Sequence, residues 1–211
     1  WSAETVDERI GVASNEIVSL LENPATESFA CRGLVIGHVQ SGKTANMTAV
    51  IAKAVDAGYN LVIILAGLTN KLRRQTQSRM RKDLVDRLRD RWELRTSEDD
   101  QGDFRMPPNG GFPAPAEGVV QLAVVKKNVA PLGQLLATLD RTLPAVLRRL
   151  RVLIIDDECD QASVNTASGE YDMTRINENI RLILKRFPAN SYVGYTATPF
   201  ANVLINPFPT N

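Results

Sequence analysis

A chain of 211 residues can bury one sizeable core, and 25 basic against 24 acidic side chains leave a net charge of +1, too little to mark a nucleic-acid or membrane-surface binder by itself. Two cysteines, Cys31 and Cys159, without C-x-x-C spacing argue against a disulfide framework or zinc site and fit a reducing cytoplasm. No apolar run approaches the roughly 20 residues of a membrane span, and the amino terminus lacks the plan of a signal peptide. A start at Trp1 rather than Met reads as a piece of a longer protein.

From Glu4 to Glu22, the residues Val6, Ile10, Ile17, Val18 and Leu21 share one helical face, predicting an amphipathic helix in an amino-terminal extension over residues 1–30. Asn23-Pro24-Ala25-Thr26 ends it. The main domain is expected over residues 31–211, its first strand beginning near Arg32 and running through Leu34-Val35-Ile36. That strand leads into Gly37-His38-Val39-Gln40-Ser41-Gly42-Lys43-Thr44, which fits the phosphate-loop pattern G-x-x-x-x-G-K-[ST]. Met47, Val50, Ile51, Ala54 and Val55 follow at helical spacing. Glycines let several N–H groups converge on one anion, and the helix adds its partial positive charge. Lys43 is expected to reach the β and γ phosphates of ATP and the Thr44 hydroxyl to ligate Mg²⁺. His38, Val39, Gln40 and Ser41 count for their backbone N–H groups, His38 more than for its ring.

Gly58 sits where a helix-ending glycine belongs, and Leu61-Val62-Ile63-Ile64-Leu65-Ala66 is a continuous apolar run suited to a strand covered on both faces. Between Lys71 and Arg95, ten basic residues face four acids, a surplus of six. One reading is a long solvated helix with ion pairs such as Asp83–Arg87; the other is a surface for phosphate backbones near Asn70, Arg73 and Arg74, where a helix start and cations coincide. The sequence does not choose between them. Trp92 is expected to cap a core. Residues 96–118, rich in Pro, Gly and acids, read as a mobile insertion. A strand over Val119–Val125 then leads through Lys126-Lys127-Asn128 into a helix bearing Leu132, Leu135, Leu136 and Leu139, and a short basic helix covers Pro144–Leu150.

Val152-Leu153-Ile154-Ile155 runs directly into Asp156-Asp157-Glu158-Cys159-Asp160, the pattern of a strand that delivers carboxylates to the carboxyl edge of a parallel sheet, where a phosphate loop also lies. One acid should hold Mg²⁺ and the next should orient or deprotonate the attacking water. Two registers are open, Asp156-Asp157 or Asp157-Glu158, and the second leaves Asp160 to complete D-E-x-D. The segment Glu170–Lys185 reads as a helix with Ile176, Ile180, Ile183 and Leu184 inward and offers no nuclease constellation. A last β-rich run from Ser191 ends in Thr196-Ala197-Thr198-Pro199.

Phosphate loop, D-E-x-D (Asp157, Glu158, Asp160) and T-A-T (Thr196, Ala197, Thr198), in that order, resemble motifs I, II and III of superfamily-two helicases and translocases. Ala66-Gly67-Leu68-Thr69-Asn70 stands where that family contacts a nucleic-acid backbone, and Lys126 and Lys127 stand where a further such motif lies. More narrowly, GHVQSGKTANM, AGLTN-x-LRRQT, IIDDE-x-DQASVNT and GYTATPFANVLI are similar to the ATPase segment of bacterial Z-one domain proteins, a group described as endonucleases. The resemblance implies a RecA-like P-loop NTPase lobe of mostly parallel sheet flanked by helices, with the T-A-T strand between the phosphate-loop and D-E-x-D strands. It implies Lys43 and Glu158 as catalytic residues, Thr44 and Asp157 at the metal, and a bond from Asp160 to Thr196 or Thr198 that couples nucleotide state to the nucleic-acid face. Cys159 is the variable position, and Asn202 would meet nucleotide or a second lobe. Implied partners are nucleic acid, DNA above RNA, with a second RecA-like lobe and an effector domain of the same protein. The expected activity is a nucleic-acid-stimulated ATPase in a restriction-like or phage-defence enzyme; a nucleotide-gated signalling or assembly module is the alternative. Because arginine fingers come from the second lobe and contribute roughly 10³–10⁵ in rate, this piece is expected to bind ATP but hydrolyse it poorly.

Overall fold

A computed structural model describes residues 3–37, 42–160 and 169–197. Six strands form one sheet: β1 (Phe29–Ile36), β2 (Leu61–Ala66), β3 (Trp92–Leu94), β4 (Val120–Lys126), β5 (Val152–Asp157) and β6 (Ala189–Thr196). Their order across the sheet is β1-β6-β5-β2-β4-β3, and every pairing is parallel. The strand from Ala189 therefore lies between the phosphate-loop strand and the acid-bearing strand, the order the resemblance implies. All parallel strands send their carboxyl ends to one edge, so Gly37, Gly67, Lys127, Glu158 and Ala197 emerge together.

The runs that read as continuously apolar are buried on both faces. Along β2, Val62, Ile64 and Ala66 enter one core cluster and Leu61, Ile63 and Leu65 the other, as the strand period of two requires. The first cluster is covered by α2 (Lys43–Ala57), through Met47, Ile51, Ala54 and Val55, and by Met80 at the end of α3 (Asn70–Met80). The second is covered by α4 (Val129–Arg141), through Leu132, Leu135 and Leu139, and by α6 (Gly169–Arg186), through Ile176, Ile180, Ile183 and Leu184. The helix α1 (Ala3–Ser19) packs on α2, where Lys53 Nζ donates to the Gly11 carbonyl at 2.8 Å and to Ser14 Oγ at 2.7 Å. A single turn, α5 (Pro144–Leu147), opens on its proline and precedes β5.

Two expectations for the middle of the chain need correction. Lys71–Arg95 is not one long helix: α3 ends at Met80, a widened π turn covers Arg81–Val85, a short turn covers Arg89–Arg91, and Trp92–Leu94 is the edge strand β3. The acids that pair within it are Asp86, with Arg81 at 3.8 Å and Arg89 at 3.4 Å, and Glu93, with Arg95 at 2.7 Å, rather than Asp83 with Arg87. Trp92 does pack against the first core cluster. Residues 96–118 lack regular structure but are anchored: Phe104 and Phe112 are buried against each other, 5.9 Å between ring centroids, and Thr96 Oγ1 joins Gln77 Oε1 to the Val124 N–H. Composition predicts the irregularity, whereas the anchoring comes from two phenylalanines set apart in sequence that meet only in the fold.

Candidate nucleotide site at the carboxyl edge of the sheet

Gly37 extends the ladder one step past β1, donating its N–H to the Thr196 carbonyl at 3.0 Å. His38, Val39, Gln40 and Ser41 lie outside the described residues. The chain resumes at Gly42, whose φ of 77° and ψ of 20° are left-handed, so a β-carbon is disfavoured there although one would meet no atom within 4 Å. Asn46 N–H caps the Gly42 carbonyl at 3.0 Å, and α2 begins at Lys43. The backbone thus turns from strand to helix within the phosphate-loop pattern, and Thr44, in the first turn of α2, lies at the sheet edge.

Thr44, Asp157 and Glu158 line one cavity, closed on its other sides by Met47, Gly67, Leu72, Gln75, Thr76 and Arg79. Arg79, from the last turn of α3, donates from Nη1 to Thr44 Oγ1 at 3.0 Å. No local signal marks that contact, because nothing in a run of ten cations distinguishes the one that reaches Thr44. Burial, followed by the neighbouring Glu158, raises the Asp157 carboxyl above its ordinary value, while Lys127 and Lys43 oppose the rise. Lys43 is thus within electrostatic reach of the acid-bearing strand.

The three consecutive acids have different surroundings. Asp156 is buried; its Oδ1 pairs with Lys127 Nζ at 2.9 Å and its Oδ2 accepts from the Tyr192 hydroxyl at 2.7 Å. With both oxygens engaged away from the cavity, the acids that face it with Thr44 are Asp157 and Glu158. Tyr192 is held protonated by burial and by Asp156. The turn after β5 is fixed by Lys127 Nζ, which also donates to the Asp157 carbonyl at 2.6 Å and the Glu158 carbonyl at 2.7 Å. On the β6 side, Cys159 N–H donates to the Tyr195 carbonyl at 3.0 Å, which sets Asp160 beside the end of β6, where Thr196 is fully buried. Tyr195 is likewise held protonated, chiefly by burial, and donates to Asn46 Oδ1 at 3.0 Å, tying β6 to α2. Thr198 and Asn202 lie outside the described residues.

Two of the five expected nucleic-acid contacts are not available at the surface. Arg73 is 1% exposed and spends its guanidinium on the Ser97 carbonyl at 2.8 Å and the Asp99 carbonyl at 3.1 Å, holding the 96–118 segment. Lys127 is 2% exposed, in the network just described. Charge and position suggested a surface; an aspartate inside an apolar strand was the overlooked sign that a buried cation was needed. Asn70, Arg74 and Lys126 remain accessible: Lys126 Nζ donates to Asn70 Oδ1 at 2.7 Å, and Arg74 pairs with the exposed Asp100.

The oxygen donors around the cavity, the Thr44 and Thr76 hydroxyls, the Gln75 amide and the Asp157 and Glu158 carboxylates, are hard ligands that fit Mg²⁺ rather than a thiophilic metal. No family model and no curated protein matches the sequence. Among solved structures the chain is similar to S. cerevisiae Dbp5, in a complex with Nup159, Gle1, IP6 and ADP, with a TM-score of 0.52 at 17% identity over 90% of this chain and 44% of that one. The pCW3 conjugation coupling protein TcpA with ATPγS aligns with a TM-score of 0.35 at 13% identity, over 80% of this chain and 43% of that one. A chain of the E. coli MS115-1 HORMA, CdnC and Trip13 complex aligns with a TM-score of 0.28 at 16% identity, over 93% and 57%. The chain therefore spans no more than 57% of any of these three. The six-stranded parallel sheet with helices on both faces is a RecA-like fold.

Proposed function

We propose that this chain is the nucleotide-binding lobe of a Mg²⁺-dependent ATPase of the superfamily-two helicase and translocase kind, stimulated by nucleic acid, with DNA as the expected track. The observation that carries the proposal is the shared cavity of Thr44, Asp157 and Glu158, which joins the start of the phosphate-loop helix to the end of the acid-bearing strand. The ADP in the solved Dbp5 complex is in keeping with it. In this reading Lys43 and the loop N–H groups hold the phosphates, Thr44 and Asp157 hold the metal, and Glu158 orients the attacking water and takes its proton. Mg²⁺, when bound, supplies charge neutralisation at the phosphates. At the finer level, the resemblance of the four quoted segments to Z-one domain proteins supports placement in a restriction-like or phage-defence enzyme with a second lobe and an effector domain.

Substituting Lys43→Ala is expected to abolish ATP binding by this chain, read by titration with a fluorescent ATP analogue; unchanged affinity would sink the proposal. A second reading, a nucleotide-gated switch that never moves along nucleic acid, is favoured by the burial of Arg73 and Lys127, which removes two cations from the supposed track. ATPase activity of the protein that ignores DNA and RNA at low salt would decide for the switch, since phosphate-backbone binding is strongest there.

A further inference from the structure

Lys127 follows β4, and the three protons of its ammonium each have an acceptor: Asp156 Oδ1 at 2.9 Å, the Asp157 carbonyl at 2.6 Å and the Glu158 carbonyl at 2.7 Å. Neutralising Asp156 would need one of these bonds. The other two grip successive carbonyls, which in a continuing strand would point to opposite sides. They converge on one ammonium because the chain leaves β5 there: Glu158 has φ 55°, the one described non-glycine residue in the left-handed region, which a β-carbon disfavours. Lys127 thus compensates a backbone conformation that the sequence alone would resist. The network extends across three strands, since Asp156 also accepts from Tyr192 on β6 and Cys159 N–H bonds to Tyr195.

We propose that Lys127 is a positioning residue for nucleotide hydrolysis: by holding the Asp157 and Glu158 carbonyls it fixes the turn that presents both carboxylates to Thr44. This rests on the reading of the cavity as an ATP site. Three variants test it: Lys127→Met, Lys127→Arg, and Lys127→Met combined with Asp156→Asn, which removes both buried charges.

Without nucleotide, amide hydrogen exchange at Cys159 is expected to quicken by about tenfold or more in Lys127→Met and in the double variant, while Ile64 at the sheet centre keeps its native rate. The double variant is expected to melt near the native temperature, because a buried pair removed whole costs far less than one partner left alone. In the ATP-hydrolysing protein, both variants lacking the ammonium are expected to lose about 100-fold in kcat, with Mg²⁺-free affinity for an ATP analogue within about twofold of native. Lys127→Arg is expected to recover part of kcat, since a guanidinium can still serve two carbonyls.

Native exchange at Cys159 in Lys127→Met would overturn the proposal. So would a double variant that regains melting temperature and kcat together, because Lys127 would then do no more than neutralise Asp156. Failure of the nucleotide reading has a different signature, an absence of ATP binding by the native sequence, and leaves the exchange measurement intact.

Discussion

Asp156, Asp157 and Glu158 are consecutive, yet each meets a different environment. Asp156 is taken into the sheet by Lys127 and Tyr192, whereas Asp157 is left at the cavity with its carboxyl raised, chiefly by burial and then by Glu158. A raised native pKa means the folded state holds the proton more tightly than the unfolded chain. Stability from that proton is fully present below the ordinary value of 3.8 and is lost as pH climbs through the higher native value. Replacing Asp157 by Asn removes the loss, so the variant should melt above the native protein at neutral pH and show a flatter dependence of melting temperature on acidity. The same variant should lose Mg²⁺-dependent nucleotide binding, the usual trade of stability for a functional charge. Thermal melts of both proteins across acid to neutral pH provide the check; a variant that melts lower at neutral pH would mean the charge is compensated.

The strands β2 and β5 contribute to the site through the turns at their carboxyl ends, whereas α2 contributes through its first turn. The turn after β5 lies over β6, and the contact is close: a β-carbon on Gly194 would stand 2.9 Å from Cys159 Sγ and 3.4 Å from Leu34 Cδ1. Gly194 is thus the residue on β6 that admits the acid turn. Substituting Gly194→Ala should cost about 1–3 kcal/mol, the usual range for overpacking a tight site, and should push the Asp157–Glu158 turn away from Thr44. Urea unfolding gives the first quantity and Mg²⁺-dependent nucleotide affinity the second. Wild-type values for both would show that the turn yields without consequence. The helix α3 has a double role, since Arg73 holds the 96–118 segment on one side and Arg79 reaches Thr44 on the other.

At the scale of the molecule, the two cores are closed by different means. One face is covered by α2 and the end of α3, while the other is covered by α4, α6 and the irregular 96–118 segment, whose Phe104 and Phe112 complete the apolar layer. That segment is part of the core, and Phe104→Ala should cost about 3–5 kcal/mol while leaving nucleotide affinity unchanged. Denaturant unfolding beside an ATP-analogue titration tests both halves; a loss below about 1 kcal/mol would return the segment to the status of a loose insertion. Among the described residues no helix is long and apolar enough to cross a membrane.

The architecture was legible because its determinants are local. Continuous apolar runs suit strands buried on both faces, helical spacing marks their covers, and the Gly37–Thr44 pattern needs a strand behind it and a helix ahead. The long-range partners of individual side chains were beyond the sequence. Nothing local says that Lys127 points inward to Asp156, that Arg73 is spent on carbonyls some 25 residues away, or that Arg79 reaches Thr44. A cation next to a predicted strand looks the same whether it meets solvent, a phosphate or a buried acid. Its role follows from desolvation, and desolvation is decided only when distant segments pack around it.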